Sequence, residues 1–217
     1  MNIKLKVLGL ASILGLGTVA QGQLIITGIY DGNGSDPKGI ELFVGSSGSF
    51  EDWTVKIQSN DNTSWSVGFT FDATEYTAGT YIYISSTAST LEAWNWDVTK
   101  GVVISDSSFN QNGDDRVGVY NDSDVRIDIY GVDGQDGTGE AWEYTDSYAY
   151  RDNGTGPSSS FVAGDWIYGG PNALETGDQE VTLGNQFGTY AIPEAEFYGA
   201  IVGMLVLGLA IVRRRRS

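Results

Sequence analysis

Short runs of β-branched and aromatic residues recur along the middle of the chain, separated by clusters of Gly, Asn, Asp and Ser. They read LIITGIY from Leu24, GIELFV from Gly39, WTVKI from Trp53, WSVGFTF from Trp65 and YIYIS from Tyr81. VVI from Val102, RVGVY from Arg116, VRIDIY from Val125 and SYAYR from Ser147 continue the series. Alternation is clear where Val125, Ile127 and Ile129 interleave with Arg126 and Asp128, and where Tyr81 and Tyr83 interleave with Ile82 and Ile84. A period of two with turn residues between the runs predicts an all-β domain, an antiparallel sandwich or barrel. Helix signals are confined to residues 89–97 (STLEAWNWD), where Ser89 or Thr90 would cap the start and Glu92 would lie near its positive end. The Gly/Asp-rich stretch 131–139 reads as a loop, because strand-like and aromatic segments resume soon afterwards, and 153–160 (NGTGPSSS) reads as a second loop.

Both ends break this pattern. Lys4 and Lys6 precede an apolar run at residues 7–20, followed by the small-x-small sequence Ala20, Gln21, Gly22. This three-part layout predicts a signal peptide over residues 1–22. Near the other end, residues 197–212 (FYGAIVGMLVLGLAIV) are uncharged and apolar, and Arg213, Arg214, Arg215 and Arg216 follow directly. At about 1.5 Å per residue such a helix covers ~24 Å against a hydrocarbon core of ~30 Å, so it is a short membrane helix with a basic stop on the cytoplasmic side. The expected organisation is therefore a signal peptide at 1–22, an ectodomain at 23–191 and a tail at 192–217.

Composition narrows the chemistry. Between the two signals only Lys38, Lys56, Lys100, Arg116, Arg126 and Arg151 are basic, against 26 acidic residues. Such a surface repels nucleic acid and anionic lipid, since binding phosphates requires compensating cations. The sequence holds no Cys and no His. Disulfides, thiolate metal sites, Cys nucleophiles and imidazole acid–base catalysis are thereby excluded, leaving an enzyme only paired carboxylates or a metal held by oxygens.

The tail resembles a known sorting signal. Ile192, Pro193, Glu194 and Ala195, then the apolar run, then the arginines are similar to the PEP-CTERM tail of Gram-negative bacteria. That resemblance implies recognition of Pro193, Glu194 and Ala195 by an exosortase, a membrane-embedded processing enzyme, in cells that make extracellular polysaccharide. It also implies transit through the inner membrane and release or attachment at the cell surface. The second proline of the motif is Ala195 here, which bears on processing more than on sorting.

A second resemblance covers most of the ectodomain. The stretches 31–44 (DGNGSDPKGIELFV), 78–85 (AGTYIYIS) and 112–131 (NGDDRVGVYNDSDVRIDIYG), with the later AYRDNGTGP and WIYGGPNAL, are similar to bacterial lamin-tail domains. That family implies an immunoglobulin-like antiparallel β-sandwich used as an attachment module without chemistry of its own.

Three constellations carry candidate chemistry. Asp133, Asp136 and Glu140, together with Asp31, Asn33, Ser35 and Asp36 and with Asp114 and Asp115, place oxygen ligands on glycine-containing loops. Calcium is the cation such donors suit, although the spacing is not that of a helix–loop–helix site and the same residues are ordinary turn formers. No other cofactor is indicated. Glu41 and Asp128 stand within strand runs and on alternation face solvent or bond a neighbouring loop; as a carboxylate pair they would suit glycosidic cleavage. Trp94 and Trp96, Trp142 and Tyr144, and Tyr148 and Tyr150 form i, i+2 aromatic pairs that would present a platform to a sugar if exposed, or fill the core if not.

Three functions follow. The favoured one is a non-catalytic cell-surface or matrix protein, structural or adhesive. The second is a glycan-binding module using Trp94, Trp96 or Trp142. The third is a hydrolase dependent on carboxylates or an oxygen-bound metal.

Overall fold

A computed structural model describes residues 23–192. The expected signal peptide at 1–22, Pro193, Glu194, Ala195, the apolar run 197–212 and Arg213 to Arg216 lie outside the described residues. Among the described residues, no helix is long and apolar enough to cross a membrane.

The nine runs picked out by alternation all form strands: β1 (Gln23–Asp31), β2 (Lys38–Ser46), β4 (Thr54–Gln58), β5 (Ser66–Thr70), β7 (Tyr81–Ser85), β8 (Val102–Ser105), β9 (Arg116–Tyr120), β10 (Arg126–Tyr130) and β11 (Ser147–Arg151). Three short ones, β3 (Gly48–Ser49), β6 (Glu75–Tyr76) and β12 (Trp166–Tyr168), complete the set. One sheet has the order β12-β11-β1-β2-β7-β8, a second the order β10-β9-β4-β5, and β3 pairs with β6. Leu24, Ile26, Ile40, Leu42, Ile82 and Ile84 from the first sheet meet Val55, Ile57, Val117 and Val119 from the second in one buried core.

The pairing is antiparallel with one exception. β7 and β8 run parallel, Ile82 opposite Val102 and Ile84 opposite Ile104. The six-stranded sheet is therefore mixed, which corrects the wholly antiparallel expectation. Parallel neighbours require a crossover, and the segment predicted as helical supplies it as α1 (Ala88–Ala93) and α2 (Trp96–Thr99). α1 buries Ala88 and Leu91 and α2 buries Trp96.

A third helix, α3 (Gln179–Gln186), was not anticipated. Its residues offer Leu183 as the buried apolar contact, so helical periodicity is almost invisible, although Asp178 caps it by accepting from the Val181 amide at 3.2 Å. α2 and α3 cover the outer face of the larger sheet, where Tyr30, Tyr83, Trp96, Leu183 and Phe187 form a second buried cluster. Gly28 on β1 makes this close approach feasible: a Cβ there would lie 2.0 Å from the Phe187 ring.

Candidate functional site

Expected site residues divide sharply by burial. Trp96 is 2% exposed and packs edge-on against Tyr83 with centroids 4.9 Å apart. Trp142 is 3% exposed and belongs to the inter-sheet core, against Tyr130 and Phe161. Trp94 is half-buried on the Trp96 ring, 5.8 Å between centroids. The proposed platform of Trp94, Trp96 and Trp142 is thus split between two cores, because a large ring gains most when removed from water. Tyr144 is buried too. Tyr148 and Tyr150, both half-buried, keep a partly exposed pair, their rings 19° from parallel and 6.3 Å apart.

The loop carboxylates have local duties. Asp133 accepts from Arg126 Nη1 at 2.7 Å and from Trp65 Nε1 at 3.3 Å. Burial, which would raise its pKa, is outweighed there by the hydrogen bond and charge of Arg126, and the pKa falls. Asp136 accepts from the Thr138 amide at 2.8 Å, a turn bond that also holds its pKa down. Glu140 is exposed. Among the described residues no three His, Cys, Asp or Glu side chains converge to hold a metal ion, so Asp133, Asp136 and Glu140 are not brought together as a calcium site. Arg126 and Trp65 engage the Asp133 oxygens, and a turn bond engages Asp136.

Glu41 and Asp128, expected to face solvent or to bond a neighbouring loop, are 1% and 0% exposed, and each bonds a loop amide, Gly188 and Ser158 respectively. The reason in β10 is a bulge between Arg126 and Asp128 that breaks the alternation. Asp128 then accepts from the amides of Ile26 (2.8 Å), Ile129 (3.0 Å) and Ser158 (2.9 Å), and Arg151 Nη2 donates to both its oxygens at 2.8 and 2.7 Å. Arg151 Nε meanwhile donates to the Ile26 carbonyl at 2.7 Å. β11 pairs with β1 only from Gly28 onward, so this ion pair satisfies both backbone groups of Ile26 where the neighbouring strand has ended. Burial pushes the Asp128 pKa up to about 6 against the pull of Arg151 and the three amides, which leaves the carboxylate ionised at neutral pH.

Glu41 lies on the outer face of the same sheet. Its Oε1 accepts from Thr27 Oγ1 at 2.7 Å and its Oε2 from the Gly188 amide at 2.6 Å. Thr27 is the extra residue of a bulge in β1, where Ile26 pairs with Leu42 but Gly28 with Glu41. Burial raises the Glu41 pKa to about 7, with the Thr27 and Tyr83 hydroxyls, the Gly188 amide and the Lys100 charge pulling the other way. Lys100 Nζ donates to the carbonyls of Gly184 and Phe187, both at 2.8 Å, placing a cation at the negative end of α3. Glu41 and Asp128 share no hydrogen-bond partner, and each is enclosed separately, unlike a catalytic pair flanking a cleft.

The Asn112, Gly113, Asp114, Asp115 motif forms a third junction. Asp115 accepts from the amides of Asn112 (2.7 Å) and Asn60 (2.9 Å), and Gly113 donates to Asp31 at 3.0 Å. Lys38 Nζ donates to Asn112 Oδ1 at 2.8 Å and stands 3.5 Å from Asp31. Arg116, fully buried, donates to Gln58 Oε1 at 3.0 Å and to the carbonyls of Asn60 and Asn62. Composition gave no warning that Lys38, Arg116 and Arg151, half of the cations among residues 23–192, would be interior. In SYAYR the signal was present: Arg151 shares the phase of Ser147 and Ala149, both buried.

No family model matches the chain, and no curated protein matches it.

Proposed function

We propose that this chain is an exported surface or matrix protein, sorted by its PEP-CTERM-like tail, with a lamin-tail-like ectodomain of immunoglobulin-like sandwich form acting as a non-catalytic structural or adhesive module. The carrying observation is the use of the interior charges: Asp31, Lys38, Glu41, Asp115, Arg116, Asp128 and Arg151 all engage neighbouring segments of the same fold. An arrangement of this kind favours a scaffold over a reaction centre, because catalytic carboxylates need a free face toward substrate. In this reading the 197–212 segment is a transient inner-membrane anchor, Arg213 to Arg216 are its cytoplasmic stop, and an exosortase-like enzyme acts at Pro193, Glu194 and Ala195. Intact mass and fractionation from the native host test it, comparing wild type with a variant carrying Pro193→Ala and Glu194→Ala. Loss of residues 1–22 and of the tail in wild type, with inner-membrane retention in the variant, is expected; an intact tail in both defeats processing.

A glycan-binding role is the second reading, favoured by the near-parallel, half-buried Tyr148 and Tyr150 rings. Affinity electrophoresis in the host's extracellular polysaccharide tests it: retardation of wild type that Tyr150→Ala abolishes would support the role, and equal mobility would end it.

A further inference from the structure

Lys38 opens β2 with its backbone pinned on both sides: the amide donates to Thr87 Oγ1 at 2.9 Å, and the carbonyl accepts from Ser85 Oγ at 2.5 Å. The side chain is directed inward, 5% exposed, and its Nζ donates to Asn112 Oδ1 at 2.8 Å while standing 3.5 Å from Asp31 Oδ1. Asn112 is fixed as well, its own amide donating to Asp115 Oδ2 at 2.7 Å. Asp31 is oriented by the Gly113 amide, which donates to Oδ2 at 3.0 Å. Among the described residues its buried Oδ1 faces no donor but the Lys38 Nζ.

An amine, a carboxamide and a carboxylate placed in this way are the components of an amide exchange. A lysine becomes a nucleophile when burial disfavours its charge and a base within reach takes its proton. Asp31 is such a base. Burial raises its pKa against the charge of Lys38 and the Gly113 amide, which moves the carboxyl toward the protonated form that proton transfer from Lys38 requires. Holding Lys38 and Asn112 on two fixed segments makes their encounter intramolecular, and well-oriented groups then react as if at a concentration far above any reached in solution. Asn112 reaches solvent, so a small product can leave.

We propose that Lys38 and Asn112 join in an isopeptide bond formed by the folded domain itself, with Asp31 as the catalytic base. Asp31 takes one proton from the Lys38 ammonium, and the freed lone pair forms a bond to Asn112 Cγ. A second Nζ proton passes to Nδ2, the Cγ–Nδ2 bond breaks, and ammonia departs as ammonium with the proton that Asp31 held. Nothing is oxidised or reduced, and no further reactant enters. The product ties the start of β2 in the larger sheet to the loop that enters β9 in the smaller one, across 74 residues of sequence. In a chain with no cysteine it supplies the kind of covalent tie that disulfides give elsewhere. The bond forms whether or not the tail is processed.

Mass spectrometry of the full chain, denatured and digested with trypsin, reads the bond directly. Expected is a product lacking the mass of one ammonia, in which the peptide spanning Lys38 is uncut at that residue and joined to the peptide holding Asn112. Asp31→Asn keeps an acceptor for the Gly113 amide and should leave the two peptides separate at full mass, as should Lys38→Arg and Asn112→Ala, with thermal unfolding to establish that each variant is folded. Separate peptides in wild type overturn the bond, whatever the variants do. An ammonia deficit confined to Asn112 and Gly113, the mark of a cyclic imide, overturns it equally. A linked product in folded Asp31→Asn overturns the role of Asp31, and Asp31→Ser repeats that test should the first variant not fold.

Discussion

Asp128→Asn is the most informative single change. The substitution keeps volume but replaces an acceptor of five hydrogen bonds with an amide that must turn two N–H groups toward Arg151 or the amides of Ile26, Ile129 and Ser158. Arg151, 3% exposed and lying over the Trp166 ring at 4.6 Å, is then a buried cation without its counter-charge. Removing one member of a buried pair costs about 3–5 kcal/mol, which for a domain of this size lowers Tm by roughly 6–20 °C. Urea unfolding of residues 23–192, followed by tryptophan fluorescence, measures the loss. The double variant Asp128→Leu, Arg151→Met removes both charges and should be less destabilised than the sum of its two single changes. A cost below about 1 kcal/mol for Asp128→Asn, or strict additivity in the double variant, would refute the claim that this pair substitutes for a missing strand at Ile26.

Three further outcomes are expected. Glu41 titrates near 7 in the fold against 4.5 when free, so its contribution is fully present below about pH 4.5 and lost as pH rises through 7, a swing of about 3 kcal/mol. Glu41→Gln should flatten that part of the stability profile, and a difference from wild type that stays constant between pH 4 and pH 8 argues against the assignment. Gly28→Ala drives a methyl into the Phe187 ring and should cost about 1–3 kcal/mol, with Phe187→Ala relieving part of the clash; equal penalties in the presence and absence of the ring would count against the contact. Lys100→Met removes the cation from the end of α3, and hydrogen exchange should then quicken at the Phe187 and Gly188 amides while β1 and β2 stay protected.

Strand placement was readable from the sequence because it depends on local alternation and on turn residues: nine runs, from LIITGIY to SYAYR, all became strands. The crossover helices were partly readable for the same reason, with Leu91 and Trp96 as apolar anchors among polar neighbours. α3 was not, since Leu183 gives a helical period too little to repeat. The parallel pairing of β7 with β8 is a choice of partner, not a property of either run. The candidate site fared worst. Asp128 sits where a bulge shifts the alternation, and one inserted residue is enough to change which face a carboxylate takes, whereas Glu41 keeps its outward phase and is buried because α2, α3 and the Gly188 amide close over that face. Whether Trp94, Trp96 and Trp142 could meet on one surface depended on which layer covered them. Local sequence thus determined where the chain extends and turns, whereas tertiary structure decided what each charged or aromatic side chain touches, because burial and pairing depend on residues as distant as Ile26 from Asp128.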